Sequence, residues 1–325
     1  MGLLKNIKNI QEHCLQMNKR IAICIPSYKN RYSNLLSNLV NIDKKYDIYV
    51  FLSENDFEAS GYDKYDWTPS NIEYVVTPCK SIFEKRQYML DFVREHNYDG
   101  YFQLDDDIMF TRCGKISEKT KRTTSNSYRA ETCDFNELLD VLVQKAEEYN
   151  AGFSSPVFPY IIGFSKPNTV NVNKALNYGQ FFYLDIHKMN EFNINFDISG
   201  TIHEDMDVVL QLIQNGVNCI TVGDYCLALN STAIYATSKA STTLNRYDAG
   251  ILKVGLYLKY RDGITLRVNN KNGTLIAMTK PAKYFGTKEI PIKNDKYHQG
   301  LYEVCKTRDL AKVIEYIQSN KNKKS

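Results

Sequence analysis

The chain has 325 residues, of which 43% are apolar and 24% are charged, and its net charge is +4. This composition is that of an ordinary globular protein, long enough for one large α/β domain with an appendage. The charge is too small to indicate a nucleic-acid binder by itself, although a local basic patch would suffice for one. The eight cysteines form no C-x-x-C pair, which excludes the usual zinc-site patterns and favours reduced thiols. With no signal-peptide pattern and no apolar run of transmembrane length, we expect a soluble, cytoplasmic protein without a membrane partner.

The first hundred residues alternate strand-like apolar runs with helical patterns. The predicted strands cover residues 21–25, 47–52, 72–76 and 100–104, and a predicted helix covers residues 81–96. This rhythm favours an α/β fold with a mostly parallel, Rossmann-like sheet flanked by crossover helices. Ligands of such sheets bind beyond the carboxyl ends of the strands. Three polar segments fall at such ends, namely residues 27–31, 53–56 and 105–107.

Asp105, Asp106 and Asp107 give the strongest chemical signal. Consecutive carboxylates at a strand end repel one another and lose part of their hydration. A hard divalent cation, Mn²⁺ or Mg²⁺, makes the arrangement favourable, and such a cation usually also grips the phosphates of a nucleotide. The alternative is an acidic surface turn. The convergence of the three polar segments favours a metal–nucleotide site.

The second half of the chain contains a second acidic cluster and a tail of different character. Residues 203–207 (His-Glu-Asp-Met-Asp) precede a helix that Asn215-Gly216 closes, so their acids either cap that helix or act chemically. Basic side chains in residues 115–130 indicate a solvated loop or a contact with an anion. From residue 231 the pattern predicts helices and one hairpin. We therefore expect a catalytic domain in residues 1–230 and a small α+β extension in residues 231–325 that contacts the acceptor or acts as a lid.

The order of these elements resembles the GT-A glycosyltransferases of the family-two type over about residues 20–230. Residues 21–28 look like the opening strand and the Pro-Ser/Thr-Tyr nucleotide loop of that family. Residues 85–87 stand where the family has Ala-Arg-Asn, and residues 104–107 look like its Leu-Asp-x-Asp motif. Phe196-Asp197 followed by Glu204-Asp205 looks like its Phe-Asp and Glu-Asp motifs.

The resemblance implies a role for each matched residue. Donor contacts to a nucleotide sugar, with a UDP-sugar as first choice, would come from Pro26, Ser27, Tyr28, Arg31, Glu54, Arg86, Asp105 and Asp106. Mn²⁺ or Mg²⁺ would be held by Asp107 with Asp105, and by His298 as a late histidine is in some GT-A enzymes. Asp205, or else Glu204, would be the general base of an inverting transfer. For Arg86 the alternative is a surface arginine on the helix, and for His298 it is a structural role.

A closer resemblance concerns the acceptor. Residues 83–88, running on to residues 104–108, are similar to the TET-associated glycosyltransferases of phages. That resemblance implies transfer to hydroxymethylated pyrimidines in double-stranded DNA, with Arg112 and the basic loop near phosphates. A glycan or protein acceptor is the alternative within the same class. A nucleotidyltransferase is disfavoured because residues 26–31 lack glycine, and a non-catalytic binding module because both acidic clusters are present.

Overall fold

A computed structural model of the chain describes residues 19–27, 39, 41–56, 71–106, 108–115, 131–157, 168–174, 181–199, 203–229, 246–260, 264–268, 275–279, 296–307 and 309–320. The chain divides into two units. The first unit comprises Met1–Asn193 and Asn218–Leu229, and the second comprises Ile194–Val217 and Asn230–Ser325. The acidic cluster at residues 203–207 therefore belongs to the second unit, while the sequence-based division at residue 230 stays a prediction.

The first unit is built on a mixed sheet. Its described strands are β1 (Ile21–Pro26), β2 (Asp47–Ser53), β3 (Ile72–Thr77), β4 (Gly100–Leu104), β5 (Ile108–Lys115), β6 (Glu131–Thr132), β7 (Ala151–Val157), β8 (Val170–Val172), β9 (Phe181–Asp185) and β10 (Asn218–Leu229). They lie in the order β3-β2-β1-β4-β9-β7-β10-β5-β6, and β8 pairs with β10. The four strands predicted from the first hundred residues form the parallel half β3-β2-β1-β4. Beyond β4 the sheet is mixed, because β9 runs antiparallel to both β4 and β7.

The parallel half fixes where the polar segments meet. Strand β1 is buried along its whole length, as expected for a continuous apolar run in a sheet covered on both faces. It pairs with β2 on one side and with β4 on the other. The carboxyl ends of these three strands therefore lie at one edge of the sheet. Ser27, Ser53 and Asp105 stand at or just beyond those ends.

Helices cover both faces of this sheet. They are α1 (Ile82–Glu95), α2 (Phe135–Glu148) and the short α3 (Ile186–Glu191). Helix α1 begins with a capping box between Ser81 and Glu84, which satisfies two backbone N–H groups that the helix itself cannot. Its Phe92 packs edge-on against Tyr49 and Phe51 of β2. On the other face, the apolar stripe of α2 joins the main core of the sheet. The predicted α/β architecture is confirmed.

The second unit combines helices with a hairpin. Its described elements are α4 (Glu204–Gln214), α5 (Arg246–Lys259), β11 (Ile264–Val268), β12 (Leu275–Thr279), α6 (Lys296–Lys306) and α7 (Leu310–Ser319). Strands β11 and β12 pair antiparallel, as the turn-rich sequence between them predicts. Gly216 has φ 77°, the left-handed conformation that ends α4. None of the helices in the described part of the chain has the length and apolar character needed to cross a bilayer.

Two local differences separate the predicted and observed elements. The sequence of residues 180–186 predicts one strand, but β9 ends at Asp185 and Ile186 is the first residue of α3. The Asp185 side chain accepts a hydrogen bond from the Lys188 backbone at 3.0 Å and so starts a helix there. Strand β5 was not predicted. Its partner β10 lies about a hundred residues later in the chain, so its pairing leaves no local periodic signal.

Candidate functional site

Ser27 joins the ends of three strands. Its backbone N–H donates to the Phe51 carbonyl at 2.9 Å, which continues the β1–β2 pairing. Its hydroxyl donates to Asp106 Oδ2 at 3.1 Å, and its carbonyl accepts from Lys85 Nζ at 2.8 Å. All three polar atoms of this buried serine are therefore engaged with the protein itself.

The structure separates the first two members of the aspartate triplet. Asp106 is only 7% exposed and turns towards Ser27. Asp105 is more accessible, with a side chain that is 25% exposed, and its Oδ1 lies 3.3 Å from Arg86 Nη2. Arg86 is itself buried on α1, so the alternative of a surface arginine is excluded. Asp107 lies outside the described residues.

Lys85 and Asp56 belong to the same strand edge, although the sequence interpretation gave them no role. Lys85 Nζ lies 3.8 Å from Asp56 Oδ2, and both side chains are buried. The Ser53 hydroxyl also donates to Asp56. Burial lowers the pKa of Lys85, and the negative charges of Asp56 and Asp106 act in the opposite direction. The sequence did carry one signal for the burial of Lys85, because this residue stands four positions before Met89 on the buried stripe of α1.

The other predicted donor contacts are distributed unevenly around this edge. Pro26 is buried as the last residue of β1. Glu54 is exposed in the helical turn that follows β2. Tyr28 and Arg31 lie outside the described residues, as do residues 116–130 of the basic loop. The structure thus brings Pro26, Ser27, Glu54, Arg86, Asp105 and Asp106 to one edge of the sheet.

The predicted base lies at the N-terminus of α4 in the second unit. Asp205 is partly exposed, and its Oδ1 accepts a hydrogen bond from the Met206 backbone at 2.7 Å. Glu204 is buried, with 5% of its surface exposed. His203 is the N-cap residue of α4 and makes no side-chain capping bond. Of the two candidates, Asp205 is the more accessible carboxylate.

Asp207, two residues after Asp205, is fully buried. It accepts hydrogen bonds from Tyr260 Oη at 2.6 Å and from Gln211 Nε2 at 2.7 Å, and it lies 2.7 Å from Lys259 Nζ. Burial raises the pKa of Asp207, and these partners oppose the shift. The network fastens the first turn of α4 to the end of α5.

His298 lies on α6 of the second unit. Its Nε2 is 3.2 Å from the Tyr257 hydroxyl, and the two rings stack with centroids 5.7 Å apart. Both contacts join α6 to α5 within the second unit. Its assignment as a metal ligand stays a prediction.

The aspartates that follow β4 supply the oxygen ligands that a hard cation requires. Among the described residues, no group of three or more His, Cys, Asp or Glu side chains is arranged as a metal centre. Mg²⁺ and Mn²⁺ do not need such a group, because they keep several waters and bind through one or two carboxylates together with substrate phosphates. The accessible carboxylate of Asp105, followed in sequence by Asp107, fits that mode.

The chain matches a known protein family over most of its length. A sequence model of the TET-associated glycosyltransferases matches residues 21–237, from the first residue of β1 to beyond the end of β10. This match identifies the class of protein as a glycosyltransferase. The chain belongs to the TET-associated glycosyltransferase family. No curated protein matches it.

Solved structures align with this chain at low identity and with TM-scores below 0.5. TarS residues 1–349 from S. aureus, in complex with UDP-GlcNAc, has a TM-score of 0.45 and 10% identity, covering 94% of this chain and 92% of that chain. Glucosyl-3-phosphoglycerate synthase from Mycobacterium tuberculosis, in complex with Mg²⁺ and UDP, has a TM-score of 0.43 and 8% identity, covering 81% and 89%. Similarity at this level adds no argument about function, which rests on the family and the site.

Proposed function

We propose that this glycosyltransferase moves a sugar from a UDP-sugar to the hydroxyl of a 5-hydroxymethylpyrimidine in double-stranded DNA, in a metal-dependent, inverting reaction in the cytoplasm. One observation carries the donor half of the proposal. The accessible carboxylate of Asp105 lies beside the guanidinium of Arg86, at the edge where β1, β2 and β4 end. Membership of the family supports sugar transfer, and the sequence resemblance to the phage enzymes supports the DNA acceptor.

The donor would bind across the ends of β1, β2 and β4. Arg86 is always protonated and offers a planar set of donors suited to a diphosphate. The proposed donor contacts are Pro26, Ser27, Tyr28, Arg31, Glu54, Arg86, Asp105 and Asp106. Within this set Ser27 and Asp106 would act by shaping the edge, since they bind each other. Glu54, which is exposed, would face the nucleoside.

Asp105 and Asp107 would hold the metal ion, with His298 proposed as a further ligand. The bound ion would supply positive charge that offsets the charge developing on the departing diphosphate. Asp105 would keep its orientation through Arg86, which limits the rotation of the carboxylate.

Asp205 would act as the general base. In an inverting transfer the acceptor oxygen attacks the anomeric carbon, the bond to the nucleoside diphosphate breaks, and the hydroxyl proton passes to the carboxylate. The exposure of Asp205 favours it over the buried Glu204 for this role. Its hydrogen bond from the Met206 backbone N–H holds one carboxylate oxygen in place, and the other would face the acceptor.

DNA binding would use the basic residues that follow the triplet. Residues 112–129 include Arg112, Lys115, Lys119, Lys121, Arg122 and Arg129. Side chains of this kind bind backbone phosphates and position the duplex without reading its sequence. The base carrying the hydroxymethyl group would then be turned out of the stack, as is general for enzymes that modify a base in a duplex.

The test offers radiolabelled UDP-sugars, with Mn²⁺, to matched duplexes that contain either cytosine or 5-hydroxymethylcytosine, and to the corresponding thymine and 5-hydroxymethyluracil pair. Label is expected only in a hydroxymethylated duplex and only with metal present. Asp205→Asn is expected to bind UDP as the wild type does and to lose transfer. Label in neither hydroxymethylated duplex would remove the DNA acceptor. Full transfer by Asp205→Asn would place the base elsewhere.

A further inference from the structure

Lys85 is a buried cation that touches more than one strand end. Its side chain is 7% exposed, and its ammonium donates to the Ser27 carbonyl at 2.8 Å. The same ammonium lies 3.8 Å from Asp56, beyond β2, and interacts electrostatically with Asp106, beyond β4. One side chain of α1 therefore links the ends of β1, β2 and β4.

An ordinary core contact does not account for this arrangement. Burying a lysine disfavours its charged form, and the lowered pKa of Lys85 reflects that cost. An apolar residue of similar length would fill the same volume more favourably. The ammonium of Lys85 lies closer to a backbone carbonyl, that of Ser27 at 2.8 Å, than to the carboxylate of Asp56 at 3.8 Å.

The carbonyl of Ser27 sets the direction in which the chain leaves the sheet. The peptide group that contains this carbonyl also contains the N–H of residue 28, so fixing one fixes the plane of the other. Residues 26–31 are the segment proposed above to contact the donor. A cation at this point also offsets the charge of Asp56 and Asp106, which would otherwise oppose an incoming diphosphate.

We propose that Lys85 is a positioning residue for the donor. It holds the carbonyl of Ser27 and offsets the two carboxylates beside it, so that the strand edge is already arranged when the nucleotide binds. The inference rests on the proposed function of this edge as the donor site. It assigns Lys85 to donor affinity and not to the bond-breaking step.

The experiment compares the wild type with Lys85→Met, Lys85→Arg and the control Lys80→Met. Lys80 is an exposed lysine that stands just before α1, so its substitution makes the same chemical change outside the network. UDP, GDP and ADP are titrated in turn in the presence of Mn²⁺ by calorimetry, thermal unfolding is recorded, and donor KM and kcat are measured on the acceptor that accepts label.

Lys85→Met is expected to weaken binding of the preferred nucleotide about tenfold and to raise donor KM to a similar extent, the usual scale for losing one charged hydrogen bond. Its kcat at saturating donor is expected to stay within about threefold of the wild type, because the catalytic groups are untouched. Lys85→Arg keeps the charge and is expected to recover most of the affinity. Lys80→Met is expected to behave as the wild type.

Unchanged nucleotide affinity in a folded Lys85→Met protein would overturn the inference while leaving the donor site in place. So would a loss confined to kcat. If Lys85→Met is too unstable to purify, Lys85→Gln gives the same reading, because it keeps a polar head but lacks the charge and the reach. A wild type that binds none of the nucleotides would overturn the proposed donor site and this inference together.

Discussion

The carboxylate of Asp207 is fully buried in the second unit and is the centre of a hydrogen-bonded network. Replacing it with alanine removes the acceptor for Tyr260 Oη and Gln211 Nε2 and the counter-charge of Lys259. These losses are unequal because the partners differ in exposure. The Lys259 side chain is 39% exposed and can be hydrated after the change, whereas Tyr260 is 1% exposed and cannot.

The expected cost of Asp207→Ala follows from those exposures. Removing the 2.6 Å carboxylate acceptor of the buried Tyr260 hydroxyl costs about 1–3 kcal/mol, since the backbone carbonyl of residue 207 that remains is 3.4 Å away. Loss of the Lys259 pair adds up to about 1 kcal/mol, since its ammonium reaches water. Gln211 also donates to the Asn195 carbonyl at 2.9 Å and so keeps one partner. We expect a total of about 3 kcal/mol, which corresponds to a fall in melting temperature of roughly 6–12 °C.

Thermal unfolding of four variants tests this reasoning. Asp207→Asn keeps the volume and one acceptor and is expected to lose only about 1 kcal/mol. Combining Asp207→Ala with Tyr260→Phe removes the hydroxyl that has lost its carboxylate acceptor and is expected to recover about 1–2 kcal/mol relative to Asp207→Ala alone. Asp205→Ala, two residues earlier on the same helix, is the control and is expected to change stability by less than about 1 kcal/mol. The argument is refuted if the Tyr260→Phe change adds its own loss and recovers nothing.

Two further predictions concern pH and packing. Burial raises the pKa of Asp207 in the folded state. The native protein therefore keeps the proton of this carboxyl group over a pH range in which the unfolded chain has released it. The stability that this difference provides is lost as pH rises through the folded-state pKa. The stability advantage of the wild type over Asp207→Asn, measured by urea unfolding, should therefore be larger near ~pH 4 than near ~pH 7, and an opposite trend would contradict the raised pKa. A Cβ at Gly100 would lie 2.5 Å from Cε2 and 2.7 Å from Cζ of Tyr183, so Gly100→Ala should lower stability by about 1–3 kcal/mol. Tyr183→Leu in the same chain should recover part of that loss in a melting experiment, and no recovery would show that the ring is not the obstacle.

Local patterns predicted the parallel half of the sheet well. Strand β4 has the predicted bounds, and β1, β2 and β3 each extend one residue beyond the predicted end. Continuous apolar runs between polar segments carry this information within a few residues of chain. Ligands bind beyond the carboxyl ends of parallel strands, and this rule predicted that Ser27, Glu54 and Asp105 lie at one edge.

Local sequence patterns could not predict the contacts that Lys85 makes at that edge. On α1, the sequence predicts Ile82, Tyr88, Met89, Phe92 and Val93 as inward residues. The structure buries Met89 and Val93 and packs Phe92 against the sheet, and it also buries Lys85 and Arg86. A lysine is assigned to the solvent face on composition alone, and only the fold supplies the carbonyl and carboxylates that compensate its charge. Asp56 belongs to the predicted polar segment 53–56, but its ion pair with Lys85 depends on α1 and could not be predicted from that segment.

The engagement of Ser27 has a consequence for which residues can occupy that position. Its hydroxyl is the donor that Asp106 requires, so the position needs an oxygen on Cβ and not a particular shape. Threonine supplies the same oxygen, whereas alanine would leave a buried carboxylate short of one partner. Substitutions at residue 27 should therefore be tolerated best where the new side chain still donates a hydrogen bond to Asp106.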